Sequence, residues 1–344
     1  MSGEKRISSR TAIRGLKWFI ALSIAGLLLN FLLTSVTESI RYLTRLNPSF
    51  FIVALALNML DWLLGGTRIL VLATQVFPRI EFKACIKANL SNVFLGAVTP
   101  AQTGGGAAQI YMLYKNGMPF AEATVASIIS FLGSISFLII CAIYLIFFGH
   151  VPAMNPSLLL LSRVTLLVFS AVILLFTVAV VKPQTFEKAT KRFLSVIPVL
   201  KKLRESRKLQ AFFDSVKKYQ DIMRIYVSKG KLALLATFVL SSVTYLNKFF
   251  IAYIVLKGMG LDVPFIQTIF IQMILFLIFY FSPTPGASGV AELSSARLMG
   301  QIIPKASQAV FTMLWRTFTL YVGVAVGGVI MLRHLLAQDS SPKV

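Results

Sequence analysis

Three charged residues, Asp61, Glu292 and Arg316, fall deep inside otherwise apolar stretches of this chain. A charge at the centre of a bilayer costs roughly 2.5 to 3.5 kcal/mol on insertion scales, so such residues are candidates for function by default. Asn58, Asp61, Gly65 and Arg68 recur at i, i+3, i+7 and i+10 and therefore share one helical face, which must look into protein. Arg68 stands near enough to the end of its stretch to reach the membrane surface. A Glu292–Arg316 pair would either contact a substrate or lock the structure around it, and Asp61 and Glu292 are possible proton carriers. Lys248 is expected to extend to the interface, and Lys115 and Glu122 to flank a helix start.

Glycine and proline mark two further sites. One reads Thr99-Pro100-Ala101-Gln102-Thr103-Gly104-Gly105-Gly106, followed by Gln109 and Tyr111; the other reads Ser282-Pro283-Thr284-Pro285-Gly286-Ala287-Ser288-Gly289, followed by Glu292. Each opens a half-helix, whose free N–H groups and dipole favour an anion such as a lipid phosphate. The bland alternative is that the glycines serve helix packing and the prolines are kinks.

Enzyme chemistry finds little support. His150 and His334 both lie near the edges of apolar stretches, and no Cys/His, Ser/His/Asp, metal-ligand or nucleotide-loop spacing is present. No catalytic residue, metal or cofactor is expected. Cys85 and Cys141 are expected to be buried small hydrophobes.

The elements that hold these residues are membrane spans. The 344 residues are 57% hydrophobic and 13% charged, far more apolar than a soluble domain. Stretches of the roughly 20 residues that a spanning helix needs occur at 16–37, 49–76, 121–148, 158–181, 231–257 and 305–333. The first is too long for the apolar region of a signal peptide and is read as a span. Two apolar blocks, 89–117 and 265–302, remain, each broken near its middle by Pro and Gly and too short to cross twice. They are expected to be re-entrant helical hairpins whose irregular backbone lines a polar interior.

The formal charge is +22, and 14 of the 34 basic residues lie in 182–231. Such excess marks cytoplasmic loops, so it is read as topology rather than as nucleic-acid binding, with both termini cytoplasmic. Within this loop Leu209, Phe212, Phe213, Val216, Tyr219, Met223 and Tyr226 keep a helical period opposite Lys217, Lys218 and Arg224. That helix is expected either to lie along an anionic leaflet or to pack beneath the bundle. An offset of 183 residues aligns Pro100 with Pro283, Gly106 with Gly289 and Gly117 with Gly300. Three spans separate the two blocks, so the hairpins would enter from opposite sides, as in the inverted repeats of transporters.

The chain resembles the flippase-like integral membrane family that includes the transmembrane region of lysylphosphatidylglycerol synthase. The resemblance rests on Thr99-Pro100, Gly104-Gly105, Gln109-Ile110-Tyr111 with Leu113 and Gly117, on Pro283-x-Pro285-Gly286-x-x-Gly289-x-x-Glu292, and on Leu314-Trp315-Arg316. Gln102 and Gly105 replace the Arg and Glu that many members carry, which places the chain in a glycine-rich branch and leaves its substrate open. The resemblance implies lipid translocation without aminoacylation.

Together these readings predict an all-α polytopic bundle in the cytoplasmic membrane of a prokaryote, with about six full spans and two re-entrant hairpins meeting near the midplane. Pro100, Gly104, Gly105, Gly106, Pro283, Pro285, Gly286 and Gly289 would shape the tips, with Tyr111 beside the first. Gln109 and Glu292 would orient a headgroup, with Asn58 and Asp61 on the facing helix. Arg68 and Arg316 would balance the phosphate of an anionic or phosphate-bearing lipid. The alternatives are a transporter of a small polar or amphiphilic solute and a scaffold acting through the basic loop.

Overall fold

The computed structural model describes residues 9–34, 39, 42–44, 46–148, 156–181, 184–185, 188, 190, 192 and 219–339. Among the described residues the protein is all-α. Its helices are α1 (Ser9–Leu33), α2 (Pro48–Ala73), α3 (Phe82–Val98), α4 (Gly104–Lys115), α5 (Phe120–Phe148), α6 (Pro156–Val181), α7 (Lys231–Gly258), α8 (Phe265–Tyr280), α9 (Val290–Met299), α10 (Gln308–Arg316) and α11 (Val322–Asp339). Among the described residues six helical stretches are long and apolar enough to cross a membrane, namely α1, α2, α5, α6, α7 and Lys305–Ala337.

Local chemistry sets the ends of these elements. α2 begins with Pro48 in its first turn, where the missing N–H is harmless, and Asn47 caps it by accepting a hydrogen bond from Ser49 N at 3.1 Å. α1 buries Ala12, Phe19, Ser23, Gly26 and Asn30 and turns Trp18, Ile24 and Leu28 outward. Apolar side chains on the outside and polar ones inside invert the pattern of a soluble helix, as a hydrocarbon solvent requires.

Helices α3 and α4 pack as one hairpin and α8 and α9 as another, and the turns that join each pair touch one another. With 12 residues, α4 is about 18 Å long at 1.5 Å per residue, well short of the roughly 30 Å hydrocarbon core. Helix α1 contacts both hairpins, and α11 runs along α3. The latter packing is close because Gly327 has no side chain to meet the Leu90 carbonyl.

The turns share a backbone conformation. Thr99 and Thr284 are extended, Pro100 and Pro285 follow, and the next two residues are left-handed: Ala101 (φ 50°) and Gln102 (φ 57°) in one, Gly286 (φ 57°) and Ala287 (φ 56°) in the other. The backbone match therefore pairs Pro100 with Pro285, two residues away from the pairing that amino-acid identity favoured. Identity followed glycines, whereas the conformation follows the Thr-Pro that enters each turn.

The amphipathic helix expected across 209–226 is described only from 219 onward; Leu209, Phe212, Phe213, Val216, Lys217 and Lys218 lie outside the described residues. The described part, 219–228, is helical and packs on the bundle, with Met223 and Tyr226 buried and Arg224 exposed. The Tyr226 hydroxyl donates to the Leu72 carbonyl at 2.8 Å. Burial, with the Glu122 carboxylate second, pushes this phenol well above its ordinary range, so the donor is retained at any physiological pH. Tyr226→Phe would leave that helix-end carbonyl with the Gln75 N–H at 3.2 Å as its remaining partner and is expected to lower stability by about 1 kcal/mol, the net worth of one hydrogen bond, read as a lower unfolding temperature in detergent with helix content unchanged.

Candidate functional site

The second tip is held by a dense polar cluster. Glu292, on the first turn of α9, accepts Gly289 N on Oε2 at 2.6 Å, and on Oε1 both Arg316 Nε and the Tyr321 hydroxyl at 3.1 Å. Arg316 Nη2 donates to the Gly286 carbonyl at 3.0 Å. Both charged side chains are sealed from solvent, at 0% and 4% exposure. A π-turn at Thr317–Tyr321 follows Arg316 directly. Its i→i+5 winding is slower than that of an α-helix, which lets Arg316 and Tyr321 reach the same carboxylate oxygen.

Helix α1 completes the cluster. The Ser23 and Ser288 hydroxyls are 2.8 Å apart, and Asn30 Nδ2 donates to the Glu292 carbonyl at 3.3 Å. The N-terminus of α9, which its sequence marks as a seat for an anion, thus already holds the protein's own carboxylate.

The first tip is tied more lightly. Thr99 Oγ1 accepts from Gly104 N at 2.9 Å and closes the turn. One arm is fastened to the other by Asn92 Nδ2 donating to Gln109 Oε1 at 2.8 Å, and Gln109 Nε2 donates onward to Ser127 of α5 at 3.2 Å. Gly105 lies against Asn92, where a Cβ would come within 2.7 Å of its side-chain oxygen. Pro100, Gly106 and Pro283 are exposed at the turns, while Gly104, Pro285 and Gly289 are half-buried. Tyr111 stands toward the far end of α4, where Lys115 Nζ lies 5.8 Å over its ring.

A third cluster joins α2, α5, α7 and α8. Asp61 Oδ2 receives Lys248 Nζ at 2.6 Å, so Lys248 turns inward to a carboxylate instead of extending to the interface. The reason is energetic: a carboxylate inside a span without a cation is costly, and α7 runs directly along α2. Arg68 also stays inside. Its Nη1 donates to Ser134 at 2.9 Å and to Ser241 at 3.1 Å, within electrostatic range of the Tyr245–Tyr280 hydroxyl pair. Asn247 ties α7 to the Leu57 carbonyl at 2.9 Å.

Of the residues singled out by type and spacing, Glu292, Arg316, Gly286 and Gly289 meet at one tip, and Gly104, Gly105 and Gln109 at the other. Asn58, Asp61 and Arg68 are collected elsewhere, along α2. Ser134, Ser241, Tyr245 and Tyr280 carried no signal as isolated hydroxyls. The stripe Ser241, Tyr245, Lys248 at i, i+4 and i+7 of α7 would have revealed an inward polar face.

A family described as the lysylphosphatidylglycerol synthase TM region matches residues 18–327. Similar proteins include a UPF0104 membrane protein of Archaeoglobus fulgidus, 21% identical over 312 residues that span 90% of this chain and 93% of that protein. Another, from Pyrococcus horikoshii, is 20% identical over 319 residues, covering 89% of this chain and 93% of its own.

Proposed function

We propose, from the premise that this chain belongs to the lysylphosphatidylglycerol synthase transmembrane-region family, that it moves a charged, phosphate-bearing lipid across the cytoplasmic membrane without modifying it. The observation that carries this reading is the contact between two broken helical hairpins inside a bundle of spans. Non-helical backbone at membrane depth is tolerated where it is buried in protein or lines a water-filled cavity. Two facing tips support a polar region through which a headgroup would travel while its acyl chains stay in the bilayer.

In this reading the hairpins are re-entrant halves of an inverted repeat that enter from opposite sides. Pro100, Gly104, Gly105, Gly106, Pro283, Pro285, Gly286 and Gly289 shape the tips. Gln109 and Glu292 hold the two tips rigid through the bonds described above, and Arg316 locks the second of them. Asn58, Asp61 and Arg68 line the neighbouring face of α2.

The test is headgroup movement in proteoliposomes that hold the purified protein and a panel of labelled anionic, zwitterionic and cationic lipids. Selective movement of phosphate-bearing lipids, absent from protein-free vesicles, is expected. If no lipid moves although the protein is folded, and a soluble headgroup analogue is taken up instead, the chain is a solute transporter.

A further inference from the structure

Arg68 is set apart from the two other inward-turned cations described above, Arg316 and Lys248, by what it lacks. Arg316 is neutralised by Glu292 at 3.1 Å, and Lys248 by Asp61 at 2.6 Å. Arg68 sits in the middle of the third cluster on two serine hydroxyls, which carry no charge to offset its own. Its Nε is buried with no hydrogen-bond partner, as are the Oδ1 atoms of Asn58 and Asp61 on the same face of α2. The side chain nevertheless keeps partial exposure.

The charge on this cluster does not cancel. Lys248 and Arg68 contribute two positive charges and Asp61 one negative charge, so the described residues leave one positive charge over. A buried charge without a counter-charge is unfavourable by several kcal/mol, and a guanidinium that keeps partial exposure and has no carboxylate beside its hydroxyl partners is suited to receive an oxyanion through charge-assisted bonds. Asp61, already paired, sets the limit: it offsets Lys248 and repels a second negative charge. Both hairpins are tied to this place, since Tyr280 ends α8 just before the second tip and α2 packs along α3 of the first.

We infer that Arg68, seated by Ser134 and Ser241, is the anchor for the anionic group of the substrate, and that it takes a group of single charge, a lipid phosphodiester. This rests on the reading of the protein as a lipid translocator and moves the phosphate seat from the tips to α2. Arg316 is then a positioning residue that holds the second tip.

The test uses the full chain in nanodiscs of uncharged lipid, titrated with three probes: dihexanoyl phosphatidylglycerol, dihexanoylglycerol as its neutral counterpart, and inorganic phosphate. The phosphatidylglycerol is expected to bind, and Arg68→Gln to weaken that binding roughly ten- to hundredfold, the range of one to two charge-assisted hydrogen bonds. Arg68→Lys, which keeps the charge, is expected to restore part of it. Equal binding by the parent and Arg68→Gln would overturn the assignment. Inorganic phosphate that binds as tightly as the lipid, and through Arg68, would overturn the lipid part of it. Should Arg68→Gln fail to fold, the Ser134→Ala/Ser241→Ala pair keeps the charge and removes its seat; undiminished binding there sinks the idea equally.

Transport separates this inference from the reading beneath it. A parent protein that binds the probe through Arg68 but moves no lipid leaves the site standing and removes the flippase. Lipid movement that Arg68→Gln does not slow does the reverse.

Discussion

Replacing Arg316 by alanine is expected to destabilise the protein by about 3 to 5 kcal/mol, because it strands a carboxylate in the protein interior. Glu292 is completely buried, and Arg316 supplies its only cation among the described residues. The Gly286 carbonyl loses its donor in the same step. Thermal unfolding in detergent would show the loss as a markedly lower midpoint. The double variant Glu292→Gln/Arg316→Met is expected to recover much of it, since exchanging a whole buried pair for neutral groups of similar volume is often close to neutral. An unchanged midpoint in Arg316→Ala would mean that water reaches the pair.

The second large effect is expected at Gly286. The left-handed φ of 57° is not by itself the obstacle, for Ala101 and Ala287 adopt the same region. What forbids a side chain is space: a Cβ would lie 2.7 Å from the Phe19 ring and 3.0 Å from the Ala97 carbonyl, which belongs to the first hairpin. Gly286→Ala therefore wedges the two tips apart. Overpacking of this kind costs typically about 1 to 3 kcal/mol, and a displaced site commonly loses rate as well, here by roughly tenfold or more. Lipid movement in proteoliposomes should fall much further than stability does. Phe19→Ala added to Gly286→Ala should restore part of the movement, because the ring is the closer of the two obstacles. A single variant with parental transport rates would show that contact between the tips does not limit translocation.

Much of this protein is legible in one dimension. Hydrocarbon imposes a single requirement on a spanning segment, about 20 apolar residues with every backbone group bonded inside the helix, and that requirement is visible as length and composition alone. The six spans, their approximate ends and the all-helical class follow from it. The breaks at 99–106 and 282–289 follow too, because Pro100, Pro283 and Pro285 lack the N–H that would continue a helix and cannot sit in its interior. The Glu292–Arg316 pair was foreseeable, because opposite charges confined to an apolar medium have strong reason to meet.

Partners that are distant in the chain were not legible. The local sequence predicts that Lys248 reaches the membrane surface, because a long side chain near a helix end can always do so. Which way it turns depends on α2 lying against α7, and no local pattern encodes that adjacency. The same holds for the correspondence of the two tips: identities aligned glycines, while backbone dihedrals aligned Thr99-Pro100 with Thr284-Pro285. Serines 134 and 241 are unremarkable as letters, since a lone hydroxyl in a span normally bonds to its own helix. They became the seat of Arg68 only when α2, α5 and α7 converged.

Sequence by itself thus determined the solvent, the stretches apolar enough to cross it and the places where the helices break, all of which are set by residues close in the chain and by the bilayer. Tertiary structure alone decided which charges cancel, leaving Arg68 without a carboxylate while Arg316 and Lys248 each found one. The physical reason is range: apolar burial and helix geometry act between near neighbours and read out as period and length. Charge compensation inside a bundle is decided by whichever groups the packing brings within a few ångströms.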